Sequence, residues 1–157
     1  MGLVESLQAR WEIEQVLYRY CVLVDERDWE AMSSVFTSDT VGDYNGLEVI
    51  GLAKLVDQAN ANMVTEKLVA TQHNISNPRI QINSDGKGAH VISNYYAVHY
   101  GGEEFEGQLY SMWGEYDDIF VLNDDGWRIK HRTYRTAFTQ GDDRMVWDGG
   151  DVGWDSD

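Results

Sequence analysis

Leu68-Val-Ala-Thr-Gln-His-Asn-Ile-Ser-Asn-Pro78 is where the chain changes period. Before it, apolar residues recur at spacings of three, four and seven; after it they alternate between turn signals. Upstream, Trp11-Glu-Ile-Glu-Gln-Val-Leu-Tyr-Arg-Tyr-Cys-Val-Leu-Val-Asp25 predicts an amphipathic helix over about residues 3–25. Asp28 is placed to cap a short second helix, Trp29 to Phe36. Thr40 to Tyr44 and Leu47 to Ile50 read as a hairpin across Asn45-Gly46, and a third helix follows over about Leu52 to Met63. Downstream, strand patterns cover about Ala70 to Ile75, Arg79 to Asn83, Gly88 to Tyr100, Glu104 to Leu122 and Trp127 to Phe138. Ser84-Asp-Gly86, Gly101-Gly102 and Asn123-Asp-Asp-Gly126 supply turns between them, and the only proline, Pro78, falls between the first two segments. Helices first and long antiparallel strands afterwards predict an α+β domain with helices on one face of a sheet. The expected division is one domain over residues 1–139 and an acidic, irregular tail over 140–157. Trp147 and Trp154 of that tail are placed to dock on the body or on a neighbouring subunit.

The balance of charge excludes several partners. Twelve Lys and Arg stand against 27 Asp and Glu, a net of −15. Such a surface repels nucleic acid and anionic membranes, so neither is expected as a partner. No run approaches the roughly 18 apolar residues of a membrane span. No secretory leader is visible at Met-Gly-Leu-Val-Glu-Ser, and the cytoplasm is the expected location. The single cysteine, Cys21, rules out an internal disulfide and a multi-cysteine zinc site; it reads as a small buried filler. There is no His-x-x-x-His and no Gly-rich phosphate loop, so neither metal nor cofactor is expected.

Chemistry concentrates on two residues. Asp25 closes the first helix behind Val22, Leu23 and Val24, where the macrodipole disfavours an anion by roughly 0.3–1 kcal/mol. His73 shares a strand face with Thr71 and Ile75. A carboxylate that orients an imidazole through Nδ1–H leaves Nε2 free to take a proton from carbon. Tyr20, Tyr95, Trp113 and Tyr116 are candidates to line an apolar pocket for a ring-bearing substrate. Arg132 and Arg135 lie three apart on one strand, so at most one enters the pocket and periodicity does not say which; Arg135 is taken as the binding residue.

Several of these residues carry a resemblance: Arg19-Tyr20 before Asp25, Arg27-Asp-Trp-Glu-Ala-Met, Val35-Phe36, Thr71-Gln-His73, Asn77 and Asp125-Gly-Trp-Arg-Ile129. Over residues 5–138 the chain resembles the SnoaL-like group of the NTF2-like superfamily, which includes scytalone dehydratase and hexachlorocyclohexane dehydrochlorinase. The resemblance implies a cone-shaped α+β fold, with three N-terminal helices packed on a curved, mixed but mainly antiparallel sheet. It implies a catalytic dyad at Asp25 and His73, with Tyr44 polarising a carbonyl and His99 assisting a departing hydroxyl as an acid. The dehydrochlorinase pattern has a lysine where Tyr20 stands, and a pocket arginine on the strand before the last, where this chain has Asp117-Asp118. Loss of water is therefore expected over loss of halide. The implied activity is a cofactor-independent dehydratase acting on a hydrophobic cyclic, aromatic or steroid-like molecule, in a homo-oligomer, trimer or dimer. An isomerase or polyketide cyclase with the same dyad, a dehydrohalogenase, and a non-catalytic binding or assembly module are the alternatives.

Overall fold

The computed structural model describes residues 2–63 and 66–147; the position of Trp154 lies outside these. The first helix, α1, runs Leu3–Glu26. It ends where Arg27 takes the left-handed conformation, φ 56°, with its amide donating to the carbonyls of Leu23 and Val24. Glycine usually fills that position. Here the Arg27 side chain does further work, donating from Nε to the Met63 carbonyl (3.2 Å) and from Nη2 to the Leu68 carbonyl (2.8 Å). The end of α1 is thereby tied to the start of the sheet.

Only one turn of 3₁₀ helix, Glu30–Ser34, stands where a second α-helix was expected. The Asp28 carboxylate caps it, accepting from the Ala31 amide. It is short because Val35 and Phe36 are drawn into the core and the strand β1, Phe36–Tyr44, starts at once. Strand β2, Leu47–Ile50, pairs with it across Asn45-Gly46, whose φ angles of 54° and 93° make a turn that matches strand twist. Helix α2 follows at Leu52–Asn62. Among the described residues the α-helices therefore number two, against the three expected.

Four long strands complete the sheet: β3, Leu68–Ile82; β4, Gly88–Gly101; β5, Leu109–Asn123; and β6, Gly126–Gln140. Their order is β2-β1-β6-β5-β4-β3, antiparallel throughout except for the parallel pair β1 and β6. Two strand segments expected around Pro78 are one bent strand, because β3 is an edge and a bulge between Ser76 and Arg79 absorbs the proline. The core lies between the helices and the concave face, with Ile13, Leu17, Phe36, Phe120 and Ile129 at its centre.

Two bulges set which side chains of β6 face inward. Phe120 pairs with Ile129 but Ile119 with His131, which leaves Lys130 as an extra residue. Trp127 and Ile129 face the core before this point, and Arg132 and Tyr134 after it. The second bulge lies between Trp113 and Gly114 on β5, where the backbones crowd together. A Cβ on Gly114 would stand 2.1 Å from the Arg135 carbonyl oxygen and 2.7 Å from the Tyr95 hydroxyl. Neither backbone can retreat, so Gly114→Ala should destabilise the fold by at least about 1–3 kcal/mol, read as a lowered urea midpoint.

Candidate active site

Asp25 and His73 meet. The end of α1 lies against the free edge of β3, and the Asp25 carboxylate occupies the place a neighbouring strand would take. It accepts the His73 backbone amide (2.9 and 3.2 Å), the Thr71 hydroxyl (2.9 Å) and His73 Nδ1–H (2.7 Å). A carboxylate accepts only, so the proton on this edge of the ring belongs to Nδ1, and in the neutral ring the lone pair is then on Nε2. His73 Nε2 makes no hydrogen bond among the described residues and belongs to the wall of an internal cavity. Three donors on one carboxylate outweigh the helix dipole that disfavours an anion at this end. Thr71 is a partner of the Asp25 carboxylate that sequence reasoning missed; its signal was a hydroxyl two residues before the histidine, on the same strand face. Thr71→Val should lower turnover about tenfold with the fold unchanged, as measured by steady-state kinetics alongside circular dichroism.

The cavity, about 100 Å³, opens between α2 and the concave face of the sheet. Met32, Leu55, Met63 and Met112 make it apolar, and neither Arg nor Lys is among its described lining residues. Its floor is a packed set of tyrosine rings. Tyr95 stacks between Tyr116 (4.7 Å) and Tyr134 (4.9 Å), Tyr20 meets Tyr116 edge-on, and Tyr44 leans on Tyr134. Burial raises the phenols of Tyr20, Tyr44 and Tyr116 and pushes Tyr95 up to about 12, so all stay neutral donors at pH 7. Tyr20, Tyr44, Tyr95 and Tyr116 thus line the cavity. Tyr134 was missed because the bulge at Lys130 breaks the count along β6.

Two expected lining residues lie elsewhere. Trp113 is on the outer face of the sheet, stacked between Tyr96 and Phe138, because inward positions on β5 are Tyr110, Met112 and Tyr116. Arg135 is also outside, exposed and paired with Asp117 at 3.1 Å and Glu115 at 3.6 Å. Arg132 is the inward arginine, but it lies beneath the tyrosine floor. It forms two 2.8 Å bonds with Asp118, the pair being 1% and 0% exposed, with its guanidinium between Tyr20 (4.2 Å) and Tyr116 (4.0 Å). Burial raises the Asp118 carboxyl and the Arg132 charge opposes it. Burial also disfavours the guanidinium charge, and Asp118 more than compensates.

His99 joins the site from β4, its ring edge-on to His73 at 5.6 Å. Its Nδ1 lies 3.1 Å from the Tyr110 carbonyl oxygen. Burial first, then the neighbouring His73, lowers its pKa to about 4. An imidazole that is neutral at pH 7 with its proton on Nδ1 has none to give from Nε2, an arrangement that speaks against the expected role as an acid. The same shift has a consequence for stability. The unfolded chain protonates His99 near 6.5 and the folded chain only near 4, so between these values stability falls as pH falls. The loss reaches at most about 3 kcal/mol. His99→Gln should remove this slope, read by comparing urea denaturation at about pH 4.5 and about pH 7.

Cys21 is buried and its thiol is pushed up to about 12, which suits a core filler and leaves no nucleophile at neutral pH. Among the described residues no three His, Cys, Asp or Glu side chains converge as a metal set, and no helix is long and apolar enough to cross a membrane. Residues of the C-terminal segment close one side of the cavity: a 3₁₀ turn at Asp143–Met145 buries Met145 and brings Val146 and Trp147 to the lining.

The SnoaL-like domain model matches residues 5–133. The chain belongs to the SnoaL-like family. A relative from Penicillium crustosum, the terrestric acid biosynthesis cluster protein E, is 29% identical over 147 residues, covering 90% of this chain and 92% of that protein. An uncharacterised protein of Mycobacterium tuberculosis is 27% identical over 135 residues, covering 86% and 90%. Among solved structures, a candidate scytalone dehydratase from Novosphingobium aromaticivorans superposes with a TM-score of 0.80 at 24% identity, covering 88% of this chain and 91% of that one. A hexachlorocyclohexane dehydrochlorinase superposes with a TM-score of 0.76 at 18% identity, covering 89% and 93%. At these identities the structural likenesses establish the NTF2-like α+β cone fold of this SnoaL-like chain.

Proposed function

We propose that this SnoaL-like protein is a cofactor-independent lyase of the dehydratase type. His73, oriented by Asp25, takes a proton through Nε2 from a carbon next to a carbonyl on a cyclic, aromatic or steroid-like substrate. The C–O bond to a hydroxyl on the neighbouring carbon breaks, a C=C bond forms, and the His73 imidazolium returns its proton to the departing hydroxide as water. Tyr44, a neutral phenol in the cavity wall, is the proposed donor to the carbonyl, directly or through a bound water.

The observation that carries this reading is the 2.7 Å contact of the Asp25 carboxylate with His73 Nδ1 at the wall of an apolar cavity. A binding or assembly module would have no need to hold a base this way. The name of the Penicillium relative, a biosynthesis-cluster protein, and those of the dehydratase and dehydrochlorinase neighbours speak for small-molecule elimination. The absence of any cation in the described lining gives a departing halide nothing to rest on, which favours water as the leaving group. The test is incubation with a panel of cyclic β-hydroxyketones in D₂O. Mass spectrometry should show loss of water, with deuterium entering at the carbon next to the carbonyl wherever proton abstraction reverses before the C–O bond breaks. Exchange without that loss would favour an isomerase or cyclase, and neither exchange nor loss of water with any member would sink the proposal.

A further inference from the structure

His99 carries more information than a second imidazole in a pocket. Its Nδ1 faces a backbone carbonyl, the Tyr110 oxygen at 3.1 Å, and a carbonyl oxygen only accepts. An unprotonated Nδ1 there would set lone pair against lone pair. Nε2 forms no hydrogen bond among the described residues, and the side chain borders the cavity. We infer that His99 is a specificity-determining acceptor: locked as the Nδ1–H tautomer, it reads a hydroxyl group of the bound molecule through Nε2. The inference rests on the cavity being the substrate site, as proposed above.

The surroundings hold that state. Facing the ring are His73 from β3, Tyr110 from β5, and Asp25 and Arg27 from the end of α1. Burial is the largest influence and opposes a positive charge, and His73 is next in the same sense; the Tyr110 carbonyl and then Asp25 favour the charge, and Arg27, the smallest influence, opposes it. Neutral His73 is held in the same sense by Asp25, and in that state two neighbouring imidazoles both present bare Nε2 atoms to one cavity. Such a site asks for donors. One is the acidic C–H that His73 removes; the other is an O–H that His99 accepts. A ketone or methyl ether at the second position meets a lone pair with a lone pair and leaves a buried acceptor unmatched, which costs about tenfold or more in binding.

Two measurements on the full chain test this. Long-range ¹H–¹⁵N spectra of the histidine rings should show His99 protonated on Nδ1, bare on Nε2 and not titrating between about pH 5 and 8. A proton on Nε2, or titration within that range, overturns the assignment. The second compares 2-naphthol with 2-methoxynaphthalene, read by quenching of Trp29 and Trp147, both of which line the cavity. The naphthol should bind at least about tenfold more tightly. That preference should vanish in His99→Phe and survive in His99→Gln, whose amide oxygen can accept. Equal affinity for the pair, including failure of both to bind, overturns the inference. His73→Ala should keep the preference while losing proton abstraction, so failure of the catalytic reading and failure of this one are distinguishable.

Discussion

Replacing His73 with alanine is expected to lower turnover about 10²–10⁴-fold while leaving the fold in place. The size follows from what a positioned general base contributes to breaking a C–H bond. The fold should survive because the His73 backbone amide, which bonds Asp25 whatever the side chain, is retained. Asp25→Asn is the sharper probe. An asparagine amide has one oxygen, which can accept from the backbone amide or from the ring, and its NH₂ must point at the other. If it faces Nδ1, the ring is driven to the Nε2–H tautomer and the base is lost; loss of the correct tautomer alone has large catalytic effects in other carboxylate-imidazole pairs. Asp25→Asn should therefore approach the activity of His73→Ala, and the double variant should be little worse than either. Losses that multiply in the double variant would mean that the two residues act independently, against the proposed dyad. The measurement is kcat on whichever substrate the deuterium-exchange panel identifies, with far-ultraviolet circular dichroism as the control for folding.

Asp118→Ala should cost about 3–5 kcal/mol of stability, the largest loss expected of any single substitution here. The carboxylate makes two 2.8 Å bonds to a guanidinium that has no access to water, and removing it strands a buried charge. Against a typical total of about 5–15 kcal/mol, this is a large share of what holds the chain folded. Arg132→Met with Asp118→Leu should behave differently. Apolar side chains of similar volume remove both charges together, and such replacements are often neutral or stabilising. The expected order in urea midpoint is thus Asp118→Ala lowest, with the double replacement near the native protein. A double variant as unstable as the single one would show that packing around Tyr20 and Tyr116, rather than charge, dominates the site.

The helix-to-sheet plan was legible because period and turn chemistry are local: Leu17 and Ile13 mark a helical face, and Asn45-Gly46 marks a hairpin. Asp25 and His73 were legible as candidates through resemblance, and their meeting depended on the end of α1 lying along an edge strand. What escaped reading was non-local. Nothing in Lys130 or His131 announces that one of them is extra relative to β5. Without that knowledge Trp127 and Ile129 put Arg135 inside and hide Tyr134. Likewise the protonation of His99 is decided by the Tyr110 carbonyl across the sheet, a partner that spacing along one strand does not reveal.

The bulge at Lys130 acts as a frame marker for the distal half of β6. Were β6 to run through Lys130 in strict alternation, without the bulge, His131, Thr133 and Arg135 would turn toward the cavity and Arg132 and Tyr134 toward the outer face. The tyrosine floor would lose a member and the pocket would gain the cation it now lacks, without any side chain being changed for another. Within such a sheet, gain or loss of one bulge is a route to new pocket chemistry that point substitution reaches only in several steps.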